Sequence, residues 1–333
     1  MTWDSPEVVF AVYQTPRTAG LFPCPLARSR IFAPGDASNT DNRRTVTWRG
    51  WIAFVALCVI WGVPYFFVKL AVAEIPPVGV AWGRIALGAA ILLPVAWKRG
   101  ALRSARLHKR AICAFAFAEL VVPFSLIALG ERWISSSLTG ILIATLPLIV
   151  VLLAPLFGLN EPLGVRRLVG LVVGFIGVVV LLGVDTVGGP LGWAGVACIL
   201  VSTVGYAVGP LIVQRHLAGV DELGAVAASL VVAAVALLPG AAWSAPAMVP
   251  SAVALTSMVV LGVVCTALAM LLYFFLITHA GAARAAVITY INPAVAVVLG
   301  VGVLHESLGT GAALGLVLIL LGSWLATGRA QRR

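Results

Sequence analysis

Charge is what this chain lacks most. Only 10% of its 333 residues are charged, against 61% hydrophobic, and the mean hydropathy is +1.08. Soluble domains carry about 25% charged residues, so this composition cannot cover a water-facing surface. Acid is scarcer than base: 12 Asp and Glu against 22 Lys and Arg leave a formal charge of +10. That excess would suggest nucleic acid in a soluble protein. No basic stripe interleaved with aromatics offers bases a place to stack, so nucleic acid is not an expected partner. Cysteine is sparse and unpaired. Cys24, Cys58, Cys113, Cys198 and Cys265 stand singly, with no metal or redox spacing. The four His do not cluster. No phosphate-binding glycine loop appears, which argues against ATP-driven pumping by this chain alone. HESLG at 305–309 is not the HExxH of a metalloprotease, because Gly309 stands where the second His belongs. No cofactor, metal or catalytic set is expected, and the chain is not expected to be an enzyme.

Long apolar runs are what the chain has. Runs of about 20 residues read as spanning helices. Ten fall near 51–71, 78–97, 111–130, 134–158, 167–184, 191–213, 223–243, 252–277, 284–304 and 310–328. Residues 1–50 differ: polar, rich in Pro, Arg, Ser and Thr, and without a signal-peptide core. They read as a disordered cytoplasmic tail, or as the product of a start codon assigned too far upstream. The bases gather in alternate loops. Lys98, Arg99, Arg103, Arg106, Lys109 and Arg110 follow the second run, Arg166 and Arg167 the fourth and Arg215 the sixth. Arg284 opens the ninth, and Arg329, Arg332 and Arg333 end the chain. Arg132 stands out on the other side. The positive-inside rule then puts both termini of a multi-pass membrane protein in the cytoplasm.

One hexapeptide occurs twice. LNEPLG at 159–164 matches LHESLG at 304–309. Pro147 lies 14 residues before Glu161, and Pro293 lies 13 before Glu306. Gly170 and Gly315 follow their Glu by nine, Gly177 and Gly322 by 16. The unit is therefore duplicated. It holds five helices, 51–185 and 191–328, and five is odd, so the second copy should be inverted. The charges agree: Gly311 and Ala312 stand where the first copy has Arg166 and Arg167. The fold class is all-α integral membrane, about ten transmembrane helices as two inverted five-helix repeats.

VPFSLIALGERWISSSLTGILIATLPLIVVLLAPLF and TALAMLLYFFLITHAGAARAAVITYINPAVAVVLGVGVLHESLG resemble the two EamA repeats of the drug/metabolite transporter superfamily. IWGVPYFFVKLAV and WGRIALGAAILLP resemble its first two helices. The resemblance runs from about Trp51 to Arg329. It implies ten helices, a plasma-membrane location and movement of a small molecule, often export of amino acids, other metabolites or drugs. His305 departs from it, standing where the family has a small residue.

Charge inside the membrane is costly, about 2.5–3.5 kcal/mol for Arg at a helix centre, and usually faces the bundle interior. Arg84 lies six positions into the second helix, about 9 Å below its boundary at 1.5 Å per residue. It reads as a gate or carboxylate anchor, or as a structural partner for a carboxylate or helix-end carbonyls. The resemblance implies Arg at this place. Glu119, midway along the third helix, reads as a proton carrier or cation ligand, or as an acid neutralised by Arg84, about 7 Å away in depth. Lys69 reads as a snorkelling end charge, and Glu131 with Arg132 as a surface pair or cap. Pro147 and Pro293 read as shared bends or packing kinks, with Thr145, Tyr290 and Asn292 as polar groups beside them. Trp61 and Tyr65, one turn apart, share a helix face. With Tyr206 they read as cavity walls or as packing. Glu161 and Glu306 read as hinge residues that satisfy the N-terminal amides of the next helix.

Together these features describe a secondary transporter that moves an amino acid, organic acid or drug-like compound by alternating access, with export favoured by family habit. Protons are a candidate coupling ion, and the lipid bilayer is the constant partner. A membrane sensor or anchor and a membrane-embedded enzyme are the competing readings. The sequence leaves open whether the chain works alone or as a homodimer.

Overall fold

The computed structural model describes residues 48–158, 164–183, 189–272 and 288–327. Glu161, Arg284, Cys24, Arg329, Arg332, Arg333 and the tail before Trp48 lie outside these residues, as does the side chain of Tyr290. Among the described residues eight helices are long and apolar enough to cross a membrane: α1 (Ile52–Ala71), α2 (Pro77–Lys98), α3 (Lys109–Gly130), α4 (Ser136–Phe157), α5 (Val165–Leu182), α6 (Gly189–His216), α7 (Glu222–Trp243) and α8 (Ala252–Leu272). Two shorter apolar helices follow, α9 (Ile288–Gly302) and α10 (Thr310–Thr327). A short helix, Leu102–Leu107, lies between α2 and α3.

Local chemistry sets several starts. Ser135 accepts the amide of Leu138 at the head of α4, and Asp221 and Ser251 cap α7 and α8 in the same way. Large apolar side chains such as Leu168, Val172, Phe175, Trp193 and Trp324 remain exposed, as a lipid-facing surface requires. The inward faces carry small polar residues: Ser202, Thr203, Ser229, Ser257, Thr266 and Ser323 are buried.

The packing obeys a two-fold rule that exchanges each helix with the fifth one after it. α2 packs on α7, α4 on α9 and α5 on α10. Further cross-repeat contacts come in mated pairs: α3 on α6 with α1 on α8, α4 on α6 with α1 on α9, and α2 on α8 with α3 on α7; α4 on α10 stands outside this pairing. The glycines spaced alike after each Glu meet here. A Cβ on Gly170 would strike Gly322, and one on Gly177 would lie 3.0 Å from the oxygen of Gly315. These two contacts are each other's mates, and they let α5 and α10 touch along their backbones.

The bundle has two distinct ends. At the basic end Ser104 accepts the Asp221 amide at 3.2 Å, and Gly158 lies 3.4 Å from the Arg215 guanidinium, measured from its ideal Cβ. The opposite, acidic end gathers Glu74, Glu131 and Glu306.

Candidate functional site

Arg84 occupies the seam between the repeats. It is 9% exposed, and its Nε donates to Thr266 Oγ1 on α8 at 3.0 Å. Its guanidinium lies 3.9 Å over the ring of Phe124 on α3, a cation–π contact. Phe124 meets Tyr206 on α6 edge to face, at 6.4 Å. A row of Arg84, Phe124 and Tyr206 therefore joins α2, α3 and α6. Tyr206 lies in the electrostatic reach of Arg84, Tyr65 and Glu119.

Glu119 does not spend itself on Arg84. Its Oε2 is buried without a hydrogen-bond partner among the described residues. It presses on α6 where Gly209 leaves room, since a Cβ there would collide with that oxygen. Glu119 sits in a π-helical stretch, Ala116–Val121, just before Pro123. A proline has no amide to donate four residues back, and the widened turn absorbs the mismatch. The mate of α3 does the same: α8 is π-helical over Val260–Leu268, and Thr266, the partner of Arg84, lies in that stretch. Thr266 returns its own proton to Leu261 O at 2.9 Å. Composition does not betray this second widening. For α3, Pro123 four residues after Glu119 was a usable signal.

A second group forms where α1 crosses α9. α1 breaks at Val63 between two helical pieces. Gly62 there sits 3.0 Å from Asn292 O, measured from its ideal Cβ. The break separates Trp61 from Tyr65. Trp61 packs with Leu57, Cys58, Ala269 and Ile291, whereas Tyr65 is buried in the main core, against Gly140 of α4. Val63 itself keeps helical dihedrals, so the two residues stay one turn apart while packing in different clusters. Thr145 stands apart, at a break in α4. Its hydroxyl donates to Leu142 O at 2.7 Å, and Ser323 of α10 donates to Ala144 O at 3.4 Å. Pro147 opens the second half of α4, whereas Pro293 lies inside a continuous α9. A hollow of about 290 Å³ between α1 and α8, lined by Phe67, Leu70 and Thr256 among others, includes none of the candidate residues.

The acidic end corrects three readings. Glu306 does take helix-terminal amides, but those of α4 in the other repeat rather than those of the next helix. Its carboxylate accepts from Ser136 N (2.7 Å), Ser136 Oγ (3.0 Å), Ser137 N (3.0 Å) and Ser137 Oγ (2.6 Å). Burial pushes Glu306 up, and these four donors more than offset it, so its carboxyl lies below the ordinary range. Glu74, after α1, takes Ser251 N (2.6 Å) and Oγ (2.5 Å) at the head of α8. Those bonds hold Glu74 below its ordinary value. The two latches are reciprocal, each repeat capping a helix of the other. Lys69 does not snorkel to water: its Nζ donates to Glu131 O and to Ile134 O (2.8 Å). Glu131 is not a surface residue, being 0% exposed, whereas Arg132 is exposed.

The EamA-like transporter family matches the chain twice, over residues 48–183 and 193–328. The uncharacterized transporter YvbV of Bacillus subtilis is 28% identical over 268 residues, 79% of this chain and 87% of its own length. The uncharacterized inner membrane transporter YedA of Escherichia coli K12 is 28% identical over 297 residues, 82% of this chain and 91% of its own length. A solved crystal structure aligns with a TM-score of 0.60 at 19% identity, covering 83% of this chain and 96% of that one. At that identity the likeness speaks to the fold alone.

Proposed function

The chain belongs to the EamA-like transporter family, and from that premise we propose that it exports a small metabolite by alternating access between two inverted repeats. The substrate class is an amino acid, organic acid or amphipathic drug-like compound. Arg84 carries this reading. A cation held at the seam by Thr266 of the second repeat and Phe124 of the first can anchor a substrate carboxylate. It senses relative motion of the repeats because its partners belong to both. Tyr206, Tyr65, Trp61, Thr145, Tyr290 and Asn292 complete the proposed cavity, and Glu119 is the proposed proton carrier. Pro147, Pro293, Glu161 and Glu306 are the proposed joints. The domain division at 185–191 follows the duplicated unit.

The basic end faces the cytoplasm in this reading, by the positive-inside rule, and YedA is named as an inner membrane protein. The acidic end is then outer, and its two latches hold that side shut. The test is the extracellular metabolite profile of cells making the wild type, Arg84→Ala or Glu119→Gln at equal membrane levels. A compound that accumulates outside with the wild type and falls at least tenfold with Arg84→Ala supports export and names the class. Profiles identical to those of empty cells for all three overturn it.

A further inference from the structure

Among the described residues Glu131 is the acid at the latched end with the poorest donor set: the Thr139 hydroxyl faces its carboxyl but donates to Ser135 O at 3.0 Å. Glu131 ends α3, is 0% exposed, and neither carboxyl oxygen has a hydrogen-bond partner among the described residues. The ammonium beside it is spent elsewhere. Lys69 donates to the backbone oxygens of Glu131 and Ile134, at the carbonyl end of α3, where a cation is favoured. Glu306 is already ionised and saturated by Ser136 and Ser137.

We infer that Glu131 is a proton-binding site, distinct from Glu119, whose proton holds the acidic end shut. A carboxylate without donors in a dry site would leave a buried charge uncompensated. The neutral acid avoids that penalty. The groups facing it are Lys69 and Tyr65 of α1, Arg84 of α2, the Thr139 hydroxyl of α4, which pulls it down, and Glu306 after α9. Burial pushes Glu131 well above the ordinary carboxylate range, and the Glu306 charge adds to this. Lys69 and Arg84 pull the other way without cancelling it. A metal cation is a poorer occupant: it would need about six oxygen ligands, and two nearby carbonyls are held by Lys69.

The pH dependence has a definite sign. Both repeats bury Glu131, so parting them at this end hydrates it and returns it toward an ordinary value. Below that value both states hold the proton, and closure is unaffected. As pH rises further, the open state loses its proton first, and closure weakens by at most about tenfold per pH unit, the limit for one proton. Above the raised value the effect stops. The inference uses the alternating-access reading only for this motion.

The test is infrared spectroscopy of the purified full chain in lipid nanodiscs, following protonated carboxyl groups from about pH 4 to about pH 10. Alongside it, Leu138→Cys in a background free of native cysteines reports opening by its labelling rate with an impermeant maleimide. Protonated-carboxyl absorption should persist past neutral pH, lose one component in Glu131→Gln and keep that component in Glu119→Gln. Labelling, divided at each pH by the rate of a free cysteine peptide to remove the intrinsic thiolate dependence, should rise with pH in the wild type and stay flat in Glu131→Gln. Glu131→Asp keeps the carboxyl and should move the midpoint, which guards against a Gln variant that fails to fold. A band absent at neutral pH, or unchanged in Glu131→Gln, overturns the inference. So does wild-type pH dependence of labelling in that variant. A titrating Glu131 in a chain that releases no metabolite would sink the export reading alone. Metabolite release without the band would sink this one alone.

Discussion

The two repeats share a plan and differ in where it bends. The first is broken twice, at Val63 in α1 and at Ala144–Thr145 in α4. Over the described residues the matching helices of the second, α6 and α9, run unbroken through Pro210 and Pro293. Both copies carry proline, so proline alone does not break a membrane helix. What differs is provision for the freed backbone. Counting from Pro147 and Pro293, Thr145 corresponds to Ile291. Only the first has a hydroxyl, and Thr145 and Ser323 supply protons to Leu142 O and Ala144 O. Without water in the hydrocarbon core, a break persists only where protein groups replace the lost bonds.

The latches differ in the same way, and breaking them should have the largest effect. Ser136 and Ser137, which serve Glu306, correspond to Ala282 and Ala283 in the second copy. Alanine offers an amide but no hydroxyl, so an equivalent latch at Glu161, which lies outside the described residues, would have half the donor set of Glu306. Glu306→Ala removes four charge-assisted bonds and strands two amides of α4. Allowing for partial exposure and non-additivity, the loss is roughly 3 kcal/mol. Glu161→Ala should lose about half as much. Thermal unfolding in detergent measures both, and equal losses would erase the asymmetry. The folded Glu306 value lies below its unfolded one. Its contribution is therefore complete above the ordinary carboxylate range and disappears as pH falls through the depressed value. Glu306→Gln should abolish that acid-side loss.

A subtler break of the comparison acts on α4 alone. Thr145→Val removes the donor to Leu142 O and should destabilise by about 1 kcal/mol, the usual size for a polar contact inside a membrane bundle. It should also slow hydrogen exchange around residue 145, as the helix reseals. Ile291→Thr in α9 adds a hydroxyl without the partner that Ser323 provides, and should change exchange there little. A break opened by Ile291→Thr would mean that one side-chain donor suffices.

Most of the fold was legible because hydropathy and duplication are written along the chain. The apolar runs mark the helices to within a few residues, and LNEPLG with LHESLG marks the repeat. Arg84 and Glu119 were legible as charges where charge is costly. What escaped depends on partners far away in sequence. Nothing near Glu131 distinguishes it from a loop acid until α1 and the Glu306 loop close over it. Nothing near Ser136 says that its amide will serve residue 306. Phe124 and Thr266 look like ordinary core until Arg84 arrives between them. Local signals report helices and turns, while the seam between repeats is made by pairs whose members are separated by half the chain.

The smallest predicted effect sharpens the comparison at one backbone angle. His305 has φ +54°, in the left-handed region, which disfavours most side chains by about 1–2 kcal/mol. The strain lies beside Glu306, whose amide bonds to Gly300 O at 3.0 Å. The first motif carries Asn160 at this position, and Asn enters the left-handed region far more readily. His305→Asn should therefore stabilise the protein by about 0.5 kcal/mol, less than the full relief because His itself tolerates the region better than most residues. Glycine would relax the angle further, but it gives back part of the gain by loosening the unfolded chain. The measurement is the unfolding midpoint of His305→Asn in the wild type and in Glu306→Ala. If the left-handed turn exists to aim Glu306 at Ser136 and Ser137, the gain should shrink once the carboxylate is gone, because the loop can then relax without help. An undiminished gain would mean that the turn is strained for reasons of its own, and that the two hexapeptides differ in backbone as well as in donors.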